Sequence, residues 1–459
     1  DWSAWNVQND PLTEAVSAPG SGGDPTLGFA KAVEMCNNNG HCRKFDAGTM
    51  CPSYRITRDE QHLTRGRANT LRLALSGALG ADALTGRAVH DALDLCVGCK
   101  GCKRDCPTGV DMARMKLEVQ AQRRARFGTA WKDALVSRLP DVAPWASALP
   151  WLANLRNRSP ALARWAERGF GLSARRRLPQ WRRDTFTRRS RALHVASRDA
   201  LFTAHADGAN TVVLWCDTFN EYFEPGNAVA ALKVLQAAGY TVHAPDVGGG
   251  RPPCCGRTHL AAGDTARARA KARALLDTLL PFAQRGIAIV GLEPSCLLTL
   301  RDEYLAMDLG DAARTVAAHA LTFEEFIVRE ARVGRFAPAW SEPEQPILVH
   351  GHCHQKAFGL MGGVLEALRL LPGAQVSLID SSCCGMAGSF GYEAAHLDAS
   401  LRMAELSLLP AVRAAGDSIV VADGTSCRHQ IADGAGRAAL HVAEVLAQHL
   451  ADDDPTVPH

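Results

Sequence analysis

The run Cys96-x2-Cys99-x2-Cys102-x3-Cys106, followed at once by Pro107, carries the strongest chemical signal in this sequence. Thiolates at this spacing let one loop wrap three corners of an iron–sulfur cubane while the fourth cysteine turns away to another cluster. A zinc knuckle is the competing reading, but zinc sites do not need the x3-Cys-Pro ending. A matching half lies upstream as Cys36-x2-Asn39-x2-Cys42, followed by Cys51-Pro52. Crossed ligation of the two-cluster type assigns Cys51, Cys96, Cys99 and Cys102 to cluster one, a [4Fe–4S] centre. It assigns Cys36, Cys42 and Cys106 to cluster two, with Asn39 where the middle cysteine should stand. An amide is a poor iron ligand beside a thiolate. Cluster two is therefore read as [3Fe–4S], or as [4Fe–4S] with a labile iron capped by water or another side chain.

The other eight cysteines form two sets of one design: Cys216, Cys254-Cys255-Gly256 and Cys296, then Cys353, Cys383-Cys384-Gly385 and Cys427. A vicinal pair is strained as a disulfide, and the glycine after it permits close backbone approach. Four thiolates suffice for one further iron–sulfur cluster in each set. The alternative is a set of thiols that are merely buried. His350, His352 and His354 alternate around Cys353. His352 and His354 are candidate ligands; proton transfer or plain hydrogen bonding are the other roles open to these rings.

The elements that must hold these residues differ along the chain. Residues 1–30, with APGSGGDP at 18–25, read as a linker or arm, and 31–120 as an α-helical two-cluster ferredoxin-like segment with an amphipathic helix over 64–80. Residues 121–209 lack cysteine, are rich in Arg, and hold five of the nine tryptophans among prolines, which predicts a connector of short helices. From 210 the pattern becomes alternating β and α. Apolar strands are expected at 211–217, 240–246 and 287–296 in one domain (210–335), and at 347–353, 375–380 and 418–427 in another (345–450). Helices are expected at 227–238, 362–371 and 397–414. Cys216 aligns with Cys353, Cys254 and Cys255 with Cys383 and Cys384, and Cys296 with Cys427, at offsets of 137, 129 and 131 residues. Similar helices, ALTFEEFIV (320–328) and ALHVAEVLA (439–447), are expected to close the two halves. The fold class is thus mixed: a ferredoxin-like segment, a helical connector and two duplicated α/β domains, each with a cysteine at a strand's C-terminal end.

With 47% apolar and 22% charged residues the chain is an ordinary globular protein, with neither an apolar run long enough to span a bilayer nor a signal-peptide pattern. It begins at Asp1, which suggests processing or a piece of something longer. Its 15 cysteines fall in tight groups, the distribution of metal ligands in a reducing compartment rather than of a disulfide scaffold, so a cytoplasmic location is expected. Residues 114–191 hold 19 Lys or Arg against 5 Asp or Glu. That asymmetry suggests docking to an acidic partner or to the inner face of a membrane, against the plainer reading of a solvated helical face. Nucleic acid is disfavoured, because the tryptophans there are spaced among prolines and form no stacking platform on strands.

MCNNNGHCRKFDAGTMCPSYRITRDEQHLTRGRAN (35–69) and CVGCKGCKRDCPTGVDMARMK (96–116) resemble the C-terminal half of bacterial FAD-linked 2-hydroxy-acid dehydrogenases of the D-2-hydroxyglutarate and D-lactate type. The duplicated part is also similar to the glycolate oxidase iron–sulfur subunit, the C subunit of anaerobic glycerol-3-phosphate dehydrogenase and the B subunit of heterodisulfide reductase. The resemblance implies an electron-transfer module that passes electrons from FAD, on a fused or separate dehydrogenase module, to a quinone or another acceptor. No FAD-binding pattern is found, and the one glycine run (248–250) precedes a CCG motif. In heterodisulfide reductases the motif ends in Cys-x2-Cys; Thr299 and Gln430 stand at that last position here, which argues against disulfide-reducing chemistry. The alternatives are a protein whose CCG cluster acts on a disulfide or quinone through Cys254, Cys255, Cys383 and Cys384, and a zinc or thiol scaffold.

Overall fold

The computed structural model describes residues 28–44, 48–246 and 252–451; most of the expected 1–30 arm and the glycine run 248–250 lie outside them. The first part is helical: Phe29–Glu34, Pro52–Thr57, Thr64–Leu75, Arg87–Asp94, Gly101–Asp105 and Met112–Phe127. The helix expected over 64–80 stops at Leu75, because Gly77 takes a left-handed conformation (φ +80°) and closes the last turn. Beyond Phe127 the chain breaks into Trp131–Ser137, Leu139–Ala148, Pro150–Ala153, Leu155–Arg158 and Pro160–Phe170. Pro140, Pro150 and Pro160 each sit in the first turn of a helix, where their missing N–H costs nothing.

Two small parallel sheets follow. The first contains β1 (Thr211–Trp215), β2 (Thr241–His243), β3 (Ala288–Gly291) and β4 (Ala320–Thr322) in the order β2-β1-β3-β4. The second contains β5 (Ile347–Val349), β6 (Val376–Leu378) and β7 (Ile419–Val421) in the order β6-β5-β7, with a parallel bridge from Val421 to Leu440 outside β7. Each expected strand is shorter than its apolar run, since the residues after it turn into helix caps and cysteine loops. β4 is not among the expected strands, and the helices expected at 320–328 and 439–447 start later, at Phe323 and Val442, behind the caps Thr322 and His441. The single helix expected over 397–414 is two, Leu397–Glu405 and Leu408–Ala414. Pro410 has no N–H to give residue 406 and its ring collides with that carbonyl, so the first helix ends there.

Strand alternation connects the layers. Along β1, Val213 and Trp215 enter a core shared with Leu63 and Met112 of the first helical part. Val212 and Leu214 point the other way, into a core shared with Ile347, Val349 and Val421 of the second sheet. The first sheet is thus sandwiched between the cysteine-rich helices and the second sheet.

A charged clasp ties the helical part to the C-terminal half. His396 Nε2 lies 3.0 Å from Asp94, two residues before Cys96, and Nδ1 lies 3.2 Å from Glu393. Burial opposes the imidazolium, but these two carboxylates outweigh it and raise His396 to about 9. A raised pKa contributes stability that is complete below the unfolded value of about 6.5 and is lost as pH rises through the folded one. Urea unfolding of the metal-free protein is therefore expected to show stability falling between about pH 6.5 and 9. The loss should be on the order of 1–2 kcal/mol once screening of the partly exposed Asp94 is allowed for, and His396→Gln should flatten it.

Candidate metal centres

Cys51, Cys96, Cys99 and Cys102 line one cavity, walled also by Thr64, Arg67 and Met112. Local structure places them. Cys51 and Lys100 both adopt left-handed backbone (φ +52° and +58°), turning the two loops inward. Cys51 Sγ receives the Thr64 N–H at 3.2 Å and lies 3.1 Å from its hydroxyl. Arg67, itself buried, is held by the Ala92 carbonyl (2.9 Å) and Ser53 (2.8 Å). Lys116 reaches the Cys96 carbonyl at 2.5 Å. Burial pushes Cys51, Cys99 and Cys102 up, whereas at Cys96 the nearby Arg67 and Lys116 charges overcome burial and hold the thiol below its ordinary value. Four thiols with two cations beside them suit an anionic cluster, since net charge and contacts to sulfur tune such centres.

Cys36, Cys42 and Cys106 are buried in the same core as Cys51 and Cys102. Burial, with Cys51 and Cys36 nearby, lifts Cys42 to about 11. Asn39 is exposed, and its amide oxygen accepts the His41 N–H at 2.8 Å. It offers nothing to a cluster.

The second CCG set converges. Cys383 hydrogen-bonds Cys353 and Cys384, and Cys427 also bonds Cys384. A ring nitrogen of His350 and the sulfurs of Cys384 and Cys427 all lie within 4.8 Å of one another. The hydrogen bond from Cys383 lowers Cys353 to about 6; burial opposes this, and His352 and then Lys356 add to it. Gly385 takes φ +83° and donates its N–H to Cys383 Sγ at 3.4 Å. This set abuts the cluster-one cavity. The Thr49 carbonyl lies 3.9 Å from Cys99 Sγ and accepts the Ser382 hydroxyl at 3.0 Å, and Cys99 and Cys353 are close enough to raise the cost of charging Cys99.

The first CCG set is smaller than the sequence suggests. Cys255 bonds Cys254 and Cys296, and Gly256 (φ +79°) donates to Cys254 Sγ at 3.4 Å. Cys216 does not join them. It follows Leu214 on the opposite face of β1, packs in the core between the sheets, and its sulfur is 4.0 Å from the Glu221 carboxylate. The Thr218 hydroxyl contacts Cys254 instead. Cys255 bonds Cys296, but burial and the carboxylates of Asp217 and Glu293 push Cys296 up to about 12.

Neither histidine put forward as a ligand joins the group of side chains close enough to share one metal, although His352 helps to lower Cys353. His352 Nδ1 accepts the His354 N–H at 3.2 Å as a helix cap, which leaves its proton on Nε2. His354 Nε2 sits between the Gly98 carbonyl (3.2 Å) and Arg257 Nη2 (3.3 Å). His350 alone of the three faces the sulfurs. The alternating pattern of the three rings pointed to it as much as to its neighbours. Arg67, Lys116 and Thr218 carried no sequence signal, because their roles depend on contacts between segments.

Residues 32–110 match the 4Fe-4S dicluster domain, and residues 347–432 match the cysteine-rich (CCG) domain. Over 90% of its length the chain is 26% identical to the D-2-hydroxyglutarate dehydrogenase of Pantoea ananatis (strain AJ13355), of which it covers 43%. It is 26% identical, over 74% of its length, to the C subunit of the anaerobic glycerol-3-phosphate dehydrogenase of Escherichia coli (strain K12), covering 81% of that protein. To the glycolate oxidase iron-sulfur subunit of the same strain it is 23% identical over 91% of its length, covering 94%. The chain spans less than half the length of the D-2-hydroxyglutarate dehydrogenases it matches. No solved structure matches it. The resemblance expected from the cysteine motifs is borne out.

One buried carboxylate fixes the cluster-one loop. Asp302 accepts from Lys100 (2.5 Å), Lys103 (2.7 Å) and Arg114 (2.9 Å), and both lysines lie inside the Cys96–Cys106 run. Asp302→Ala would strand these cations, with Glu303 left beside Lys100 and Asp111 beside Lys103 and Arg114 as partial substitutes. Thermal and urea unfolding should show a loss of about 3–5 kcal/mol.

Proposed function

We propose that this chain is an electron conduit, the iron–sulfur portion of an FAD-dependent 2-hydroxy-acid dehydrogenase that passes electrons from flavin to a quinone or another acceptor. The observation that carries it is the Thr49 carbonyl, shared between Cys99 of the first cavity and Ser382 beside the Cys383-Cys384 pair. Cys51, Cys96, Cys99 and Cys102 would hold cluster one, and Cys36, Cys42 and Cys106 cluster two. Cys353, Cys383, Cys384 and Cys427 would hold a third centre. The thiols would release their protons to solvent as the metal binds, and the cluster would supply reversible one-electron chemistry. The flavin would sit on a dehydrogenase module fused to this chain or bound to it, on the cytoplasmic side.

The two halves of the α/β part read as a duplication, at a register different from the cysteine alignment. Asp217 caps Thr218–Tyr222 as His352 caps Cys353–Ala357. Thr322 and His441 both form capping boxes. Cys296 and Cys427 are each the third residue of a helix. This register sets Thr218, not Cys216, against Cys353. The first half is then a three-thiol relic in which a cluster is disfavoured, with domain limits near 210–335 and 345–450.

Metal analysis of the anaerobically loaded chain tests this reading. About eleven to twelve irons are expected, seven or eight from the ferredoxin pair and about four from the second CCG set. Cys384→Ser should lose about four, and Cys255→Ser none. A colourless zinc protein, or a fully active holoenzyme free of iron, would overturn the conduit.

The connector supports docking to an anionic membrane surface. Trp131 (80% exposed), Trp145 (74%) and Trp165 (62%) protrude from the connector; the Trp165 helix carries Arg164 and Arg168, and the remaining arginines lie outside the helices of Trp131 and Trp145. Such rings settle at the lipid headgroup level, and the cations attract anionic lipid. No helix among the described residues is long and apolar enough to cross a membrane. Sedimentation with phosphatidylglycerol vesicles should capture the chain at low salt, and Trp131→Ser with Trp145→Ser should weaken capture about tenfold. Equal capture by the double variant would remove the proposal.

A further inference from the structure

The register of the two halves leaves one question at the second CCG set, which lacks the fifth thiolate of the Cys-x2-Cys ending. Gln430 holds that position, and its Nε2 donates to the Ser400 carbonyl at 3.1 Å. The buried polar group aimed at the thiols from the other side is His350, 1% exposed. It stands one residue beyond β5, its backbone N–H donating to the Val421 carbonyl at 2.8 Å. A ring nitrogen falls within 4.8 Å of Cys384 and Cys427 Sγ.

The hydrogen bonds around Ser381 decide which nitrogen of the ring carries the proton. Lys356 Nζ, which has only protons to give, donates to Ser381 Oγ at 3.0 Å. The Ser381 hydroxyl proton is directed to the Ile379 carbonyl at 3.4 Å. One lone pair of Oγ remains, and His350 Nδ1 lies 2.9 Å from it. With the hydroxyl proton on the Ile379 carbonyl, Nδ1–H donates to Ser381 and Nε2 carries a lone pair, and this is the tautomer we assign. Nε2 is buried, and the group it faces is the Cys384 side chain, whose thiol proton a bound metal would replace. A buried imidazole with one nitrogen fixed by a polar group and the other turned to a thiol is how proteins prepare a histidine for a metal. At the register above, Trp215 occupies the same place in the first half, and its indole N–H is spent on the Pro253 carbonyl at 2.9 Å.

We infer that His350, through Nε2, is a fifth ligand of an iron–sulfur centre held by Cys353, Cys383, Cys384 and Cys427. The inference rests on the reading that this set binds iron. The step is the formation of one iron–nitrogen dative bond, in which the neutral ring gives up no proton and no electron passes. A neutral donor leaves the centre less negative than a fifth thiolate would, and imidazole ligation raises the potential of iron–sulfur centres. The second CCG set would therefore take electrons from cluster one rather than return them.

The test is pulsed EPR on the reduced, anaerobically loaded full chain, prepared with natural-abundance and with 15N-labelled histidine. Cluster one is held by thiolates alone, and a coupling from any histidine other than His350, on cluster two for example, would survive in His350→Ala. Expected are a strong nitrogen coupling that changes with the isotope, its loss in His350→Ala, and a lowered midpoint potential in His350→Cys. The isotope comparison needs no variant, so a misfolded His350→Ala does not blunt it. Iron that is lost in Cys384→Ser, together with no histidine coupling in the parent chain, would overturn the ligand and leave the iron-binding reading intact. Iron unchanged in Cys384→Ser would overturn both.

Discussion

Three positive charges converge on the carboxylate of Asp302, and the placement of the cluster-one thiols against the rest of the molecule depends on that meeting. Lys100 and Lys103 sit between the cysteines of the Cys96–Cys106 run, and Arg114 opens the helix that follows it. Asp302 itself belongs to the first α/β half, just past the helix that bears Cys296. A loop wrapped around a cofactor has little regular structure to fix it, so its placement must come from side chains. Burying four charges is costly unless they satisfy one another. Here they do, with Glu303 adding a second partner for Lys100 at 2.6 Å. The outcome is that the loop carrying Cys99 faces the loop carrying Cys383, across a single peptide carbonyl.

What the sequence disclosed follows the range over which each feature is specified. The Cys96–Cys106 run is local: three spacings of two or three residues dictate a loop, and no tertiary contact is needed to recognise it. Most strands of the α/β part were legible because buried parallel strands read as apolar runs, although caps and cysteine loops shortened each one; the edge strand β6 is largely exposed. Cys216 is the instructive failure. Aligning cysteine with cysteine across a repeat assumes that like residues do like work, but strand alternation sends the residue after Trp215 to the face away from Cys255 and Cys296. The helix caps carry the better register, because a cap must sit at a helix start whatever its neighbours do. Asp217 and His352 differ in type and share that duty, and so Thr218 comes opposite Cys353.

The two thiol sets also differ in the field that surrounds them. Around Cys254, Cys255 and Cys296 stand carboxylates, Asp217 and Glu293, and Asp217 is itself raised to about 6 by burial and by Glu293. Negative charge beside a thiol opposes the thiolate that a metal requires. Around Cys353, Cys383, Cys384 and Cys427 stand Lys356, held by the Ser382 carbonyl at 3.1 Å, and the ring of His350. Positive charge and an imidazole on Cys384 favour both the thiolates and the metal. Arg257, however, stands beside Cys255 and Cys296, and Glu293 acts on Cys427 as well as on Cys296, so the missing fourth thiol separates the two sets more than charge does. On the proposed reading, the first half serves as structure packed against the ferredoxin-like helices, and the second, with its four converging thiols, would be where electrons collect.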